Sequence, residues 1–174
     1  MEKIVFIMGA TNCGKTTLID QLSDTFHPVV VGKVLRKMYP PDYFEGQAAP
    51  AKTDEIAFNI MCDGIKEAHE KGKVPLIDGQ PRNQVQLEWC CRDFINNNYD
   101  CRIIHLWAPR EERVRRAEKR DSDPAKLKLS MDRMDGDVLT LYDLWLQLQR
   151  THADMMVADT TTDTYVEEII EFIG

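Results

Sequence analysis

The chain has 174 residues, 43% of them hydrophobic and 29% charged, with a formal net charge of −7. That length suits a single domain with a real core, and the acidic balance argues against a protein that coats nucleic acid. No stretch approaches the length of a membrane span, and the N-terminus runs straight into a glycine loop rather than a secretory signal.

The five cysteines, Cys13, Cys62, Cys90, Cys91 and Cys101, show no C-x-x-C and no zinc spacing with histidine. They read as reduced thiols of a cytoplasmic protein.

In chain order, IVFIM (4–8) reads as a buried strand, short, continuous and ended by glycine. Residues 15–25 read as a helix, PVVV (28–31) as a second strand, and 32–38 as a brief helix stopped by Pro40 and Pro41. A loop is expected over 43–52. Thr53 or Asp54 can cap a helix that runs to about Lys71 and ends at Gly72. VPLID (74–78) is a third strand, 84–97 a helix, and Asn96-Asn97-Asn98 a turn. RIIHLW (102–107) is a fourth strand, and Pro109 can open the helix after it. A polar break over 121–130 precedes a helix over 131–150, a strand MMVA (155–158) and a closing helix over 163–173. Repeated β-α order predicts an α/β fold, a parallel sheet of about five strands with helices on both faces. Ligands bind beyond the carboxyl ends of such strands, which directs attention to the residues after Met8, Val31, Asp78 and Trp107.

Residues 9–16, GATNCGKT, fit G-x-x-x-x-G-K-[ST] with a strand before and a helix after. Glycines let the backbone turn its N–H groups inward, where they and the positive helix end hold phosphate oxygens. Gly9, Asn12, Cys13, Gly14, Lys15, Thr16 and Thr17 are therefore the expected nucleotide-binding residues. Lys15 would reach the outer phosphates and Thr16 would offer its hydroxyl to Mg²⁺. The loop implies ATP or GTP and leaves the reaction open.

Asp78 ends the third strand, where a carboxylate beside a phosphate loop can serve the metal. Arg82 follows a turn and can grip a second phosphate with its planar fork. Gln86 lies four residues on, with an amide suited to a base edge. In the segment 109–120, Arg113, Arg116 and Arg120 share a helical face, and Arg133 follows the polar break. Phosphoryl transfer needs cations around the moving group, and these arginines could supply them. Trp89, Trp107 and Trp145 read as core or rim packing, His105 as a buried neutral histidine, and Tyr43 and Phe44 as a possible cover for a base.

Taken in order, these residues resemble the adenylate kinase family of nucleoside monophosphate kinases. VGKVLR (31–36) is similar to that family's T-G-D-x-L-R, and TDE (53–55) to the start of its acceptor-side helix. DGQPRNQVQ (78–86) is similar to D-G-F-P-R-T-x-x-Q, and RMDGDVLT (133–140) to R-x-D-D-x-x-x-T. The resemblance implies a three-layer P-loop fold in one domain, with an acceptor-binding segment over about 32–72 and a short zinc-free lid over about 121–132. It implies that Gly32, Arg36, Arg82 and Gln86 bind the acceptor, that Thr16 and Asp78 serve Mg²⁺, and that Lys15, Arg116, Arg120 and Arg133 are catalytic. Val31, Lys33, Gln80, Gly136 and Leu144 depart from the family pattern. Lost polarity at Val31 and added polarity at Gln80 argue against adenine as the acceptor base.

The expectation is a Mg²⁺-dependent transfer of the γ-phosphate of ATP to a nucleoside or deoxynucleoside monophosphate. Its partners would be nucleotides, with no stable nucleic-acid or membrane partner, and monomer and dimer both remain open. The alternative is a P-loop kinase with a hydroxyl acceptor, a small metabolite or a modified nucleotide in DNA. A hydroxyl usually needs a carboxylate to take its proton, and the second strand ends near Lys33, with Asp42 a weak substitute. A nucleotide-binding regulator without kinase activity is a third possibility.

Overall fold

A computed structural model describes residues 1–39 and 51–174, with side chains from residue 53 onward in the second stretch. Pro40, Pro41, Asp42, Tyr43 and Phe44 lie outside the described residues. Five parallel strands form one sheet: β1 (Glu2–Met8), β2 (His27–Val29), β3 (Pro75–Asp78), β4 (Tyr99–Trp107) and β5 (Asp154–Asp159). Their order is β2-β3-β1-β4-β5. The chain leaves β1 for one edge, returns, and crosses to the other side, so β1 marks the point where the winding reverses. In open α/β sheets the ligand crevice forms there, beyond the strand ends.

The helices are α1 (Lys15–Leu22), α2 (Val31–Met38), α3 (Ala51–Glu70), α4 (Gln84–Cys90), α5 (Arg110–Arg120), α6 (Pro124–Leu148) and α7 (Tyr165–Ile173). Alternation along β1 feeds both layers. Ile4, Phe6 and Met8 join Ala57, Met61 and Ile65 of α3, Leu87 of α4 and Leu141, Leu144 and Leu148 of α6. Val5 and Ile7 join Leu18, Ile19 and Leu22 of α1 and Ile169 and Ile173 of α7. A strand buried on both faces needs a continuous apolar run, and IVFIM supplies one. The expected doubly covered parallel sheet is the observed fold.

Several boundaries move. Strand β2 stops at Val29, and Val31, expected in the strand, opens α2 with its side chain fully buried. Helix α3 begins at Ala51, so Thr53 and Asp54 lie inside its first turn rather than capping it. Helix α4 gives way to a π-helical turn, Cys91–Ile95, instead of running to 97. Pro109 is the N-cap of α5, one position ahead of the helix.

The largest shift concerns the polar break, which is confined to residues 121–123. Asp123 caps α6 by accepting from the Ala125 N–H at 2.9 Å, and Pro124 takes the first helical position. That pair is a strong helix start, and the helix then runs unbroken to Leu148. The segment expected as a lid is therefore mostly the first turns of α6. Leu144, at the place of a family arginine, is packed in the core on the inner face of α6.

Candidate functional site

The chain leaves β1 through a loop of unusual backbone conformations. Gly9 has φ 147°, and a Cβ there would lie 2.5 Å from Cys13 Sγ and 2.7 Å from the Leu106 carbonyl oxygen. Gly14 has φ 101° and precedes α1, while Asn12 takes φ 66°, a value asparagine tolerates better than most residues. Inside this turn Lys15 Nζ donates to the carbonyls of Gly9 (2.6 Å) and Ala10 (3.0 Å). Thr16 and Thr17 stand exposed on the first turn of α1, and Cys13 is buried in the core beneath the loop.

Helices α5 and α6 approach the loop from the β4 side. Arg116 donates to the Thr160 hydroxyl (2.9 Å), the Thr160 carbonyl (2.9 Å) and the Asn12 carbonyl (3.5 Å). Its Nε is held by Glu112 at 2.7 Å. Hydrogen bonds from Arg115 and Arg116 pull the Glu112 carboxyl down to about 2. Thr160 completes the bracket by donating to the Cys13 carbonyl at 2.9 Å. Arg120 Nη2 donates to Ser130 Oγ at 2.7 Å, and the Asn12 amide reaches the same hydroxyl at 3.3 Å. Asp137 accepts from the Thr11 N–H (3.1 Å) and the Thr11 hydroxyl (2.7 Å).

Arg116 is thus brought to the phosphate loop, whereas Arg120 meets it only through the shared Ser130 hydroxyl and is paired with Asp121 by Nε at 2.9 Å. Arg133 stands one turn beyond Ser130 on α6, exposed. Arg113 parts from this group. It is buried and donates to the Met134 carbonyl at 3.4 Å, tying α5 to α6 instead of facing the loop. His105, expected to be buried, is half-buried; burial and then the charge of Lys15 lower its pKa, and it stacks edge-on against Trp145 at 5.3 Å.

On the other flank of β1, Arg36 and Arg82 converge. A Cβ at Gly32 would lie 3.4 Å from Arg36 Nη1 and 3.7 Å from Arg82 Nη2. Arg82 is braced by Nε on the Gly79 carbonyl at 2.7 Å. Its backbone N–H donates to Gln86 Oε1 at 2.7 Å, and Gln86 Nε2 donates to Asp54 at 2.7 Å. Asn83 donates to the same Asp54 carboxylate at 3.1 Å and caps α4 by accepting from the Gln86 N–H. Gln86 is buried in this network, with both ends of its amide engaged by the protein.

Asp78 ends β3 beside Ile7 of β1. Its Oδ1 is buried and has no hydrogen-bond partner among the described residues. A buried carboxylate oxygen without a donor is costly unless a cation or water meets it. With the Thr16 hydroxyl at the head of α1, this donor set fits a hard, oxygen-loving ion such as Mg²⁺.

Sequence reasoning missed Thr11, Ser130, Asp137 and Thr160 as parts of the site, and it placed Asp54 on the acceptor-side helix without its bond to Gln86. Thr160 follows the fifth strand, and the strand-end rule applied there as well would have found it. Asp137 carried a signal too. It occupies the same helical stripe as buried Met134 and Leu141, where a carboxylate needs a partner.

Among solved structures, the chain is similar to an unliganded sugar kinase from a Janibacter species. The TM-score is 0.70 at 14% identity, over 99% of this chain and 95% of that one. That likeness shows that the two chains share this α/β fold. No curated protein matches the sequence. A family model described as an AAA domain matches residues 5–137, from β1 to the middle of α6, with the phosphate loop inside it, and by that match the chain belongs to the AAA domain family of P-loop NTPases.

Proposed function

We propose that the protein is a Mg²⁺-dependent phosphotransferase moving the γ-phosphate of ATP to a nucleoside or deoxynucleoside monophosphate. One observation carries the acceptor side of this reading. The fold holds two guanidinium groups, those of Arg36 and Arg82, within 3.7 Å of a single point beside Gly32. Two like charges so placed repel each other unless an anion lies between them. This second cationic grip is separate from the phosphate loop, so the site has a place for each of two phosphates.

In this reading the loop N–H groups and Lys15 hold the donor, with Lys15 leaving the Gly9 and Ala10 carbonyls for phosphate oxygens. Arg36 and Arg82 hold the acceptor phosphate, which is already ionised near pH 7 and needs no general base. An acceptor oxygen attacks the γ-phosphorus while the bond to the β-phosphate oxygen breaks. Arg116, Arg120 and Arg133 offset the charge on the moving group. Thr16 and Asp78 would hold Mg²⁺, which would supply charge neutralisation for the phosphates during transfer. One domain carries all of this, with residues of about 32–72 on the acceptor side and the start of α6 as the lid.

A coupled ADP-release assay over ribo- and deoxyribonucleoside monophosphates tests the reading. Turnover with at least one of them is expected. Folded, ATP-binding protein that turns over none would overturn it.

The engagement of Gln86 favours a second reading. Its amide, expected at a base edge, is held by Arg82 and Asp54. An acceptor read without a base, a hydroxyl compound, would then use the Asp54 carboxylate to take its proton. The same assay with sugars and other hydroxyl acceptors separates the two.

A further inference from the structure

Asp137 is out of place on its helix. Ser130, Met134, Leu141, Leu144 and Leu148 form the buried stripe of α6, and Asp137 falls between Met134 and Leu141 on that stripe. It finds its donors on the phosphate loop, through the Thr11 N–H and hydroxyl. Two turns earlier, Ser130 accepts from Asn12 of the same loop. Helix α6 is thereby bonded to two consecutive loop residues.

The partner chosen by Thr11 is informative. N–H groups of such loops are arranged to meet anions, and here one meets a carboxylate. The other end of the same peptide unit, the Ala10 carbonyl, accepts from Lys15. Lys15 is the side chain that reaches the outer phosphates of a bound triphosphate. The charge of Asp137 therefore lies one peptide away from the ammonium that would receive the third phosphate.

We propose that Asp137 discriminates between triphosphate and diphosphate: its carboxylate is an internal anion on the Thr11 end of the loop, and only a third phosphate has to displace it. Displacement also frees α6 from that end of the loop. Asp137 thus weakens ATP binding relative to ADP. The inference rests on the reading of the loop as a nucleotide site.

The experiment is a competition titration of ATP and ADP, both with Mg²⁺, against a fluorescent nucleotide on the full chain. Wild type is compared with Asp137→Asn, which keeps shape and one acceptor, and Asp137→Ala, with thermal melts to confirm folding. Both variants are expected to bind ATP about fivefold more tightly or better, with ADP changed less than about twofold. If Asp137→Ala does not fold, Asp137→Asn decides. Equal shifts for the two nucleotides, no shift, or weaker ATP binding would each overturn the inference while leaving the loop a nucleotide site. Wild type that binds neither nucleotide would overturn the reading of the loop, and this inference with it.

Discussion

Lys15 and Asp137 bond to opposite ends of one peptide unit: the ammonium to the Ala10 carbonyl at 3.0 Å, the carboxylate to the Thr11 N–H at 3.1 Å. The peptide is thereby fixed by a cation from α1 and an anion from α6. Its orientation decides which way the loop's N–H groups face. A loop set in this manner keeps one backbone arrangement, and Lys15 and the Thr11 N–H exchange these internal partners when phosphate takes their place.

Replacing Lys15 with methionine keeps the chain length and removes the charge. Single-turnover ADP formation is expected to fall by about 10²–10³. Stability is expected to drop by about 1.5–3 kcal/mol, the range for hydrogen bonds made by a charged group, here to the Gly9 and Ala10 carbonyls. Thermal melts beside the kinetics separate the two effects. Turnover within tenfold of wild type would remove Lys15 from the chemistry.

Arg36 and Arg82 differ in what else they do. Arg82 also braces the Gly79 carbonyl, so its removal disturbs the turn after β3. Arg36→Ala is the cleaner test. With a phosphate-bearing acceptor, KM for that acceptor is expected to rise about 10–100-fold, as for a lost hydrogen bond to a charged group. KM for ATP should stay within about twofold. Arg36→Lys should restore little, because an ammonium cannot reproduce the planar fork. A parallel rise in KM for ATP would mean that Arg36 serves the whole domain rather than the acceptor.

What was legible in the sequence was local. The apolar run of β1, the glycines at 9 and 14 and Lys15 lie within a few residues of one another, and their chemistry depends on that proximity. The unbroken start of α6 was also local. Asp123 and Pro124 form a cap and first-turn proline, but the surrounding charges make the stretch resemble a loop. The engagement of Gln86 was not legible, because Asp54 is supplied by a helix 32 residues earlier. Nor was the Asp137 contact with Thr11, which spans 126 residues. Such pairs depend on how α3 and α6 dock on the sheet, and spacing along the chain carries no trace of that.

Gly64 of α3 packs directly on Val29 of β2. A Cβ at Gly64 would lie 2.5 Å and 3.0 Å from the two Val29 methyl carbons. The absent side chain is what lets the helix approach the sheet edge. Gly64→Ala is expected to destabilise by about 1–3 kcal/mol through overpacking. That outweighs the gain of about 1 kcal/mol from better helix propensity. Val29→Ala should open the needed space. In a denaturant double-mutant cycle, the pair should therefore cost less than the sum of its parts by about 0.5 kcal/mol or more. Strict additivity would contradict the contact.

Four cysteines flank the packing of α3, α4 and the π-helical turn against β4, and all four thiols are shifted upward. Burial is the main cause in each. It takes Cys62 to about 11, helped by Asp93, and Cys101 to about 12, helped by Asp100. Cys91 also rises, and Cys90, fully buried, rises furthest. A pKa raised by folding means that the native state holds the proton more tightly. The contribution to stability is then complete below the unfolded value of about 9 and is lost as pH climbs towards 12. Melts from pH 8 to 11 should show wild type losing stability steeply, with Cys90 alone contributing up to roughly 1.4 kcal/mol per pH unit. Cys90→Ala should begin less stable, since it loses packing, yet decline more shallowly above pH 9. Packing loss alone would shift the curve without changing its slope. Parallel curves for the two proteins would mean that the Cys90 thiol ionises as readily in the core as in the unfolded chain.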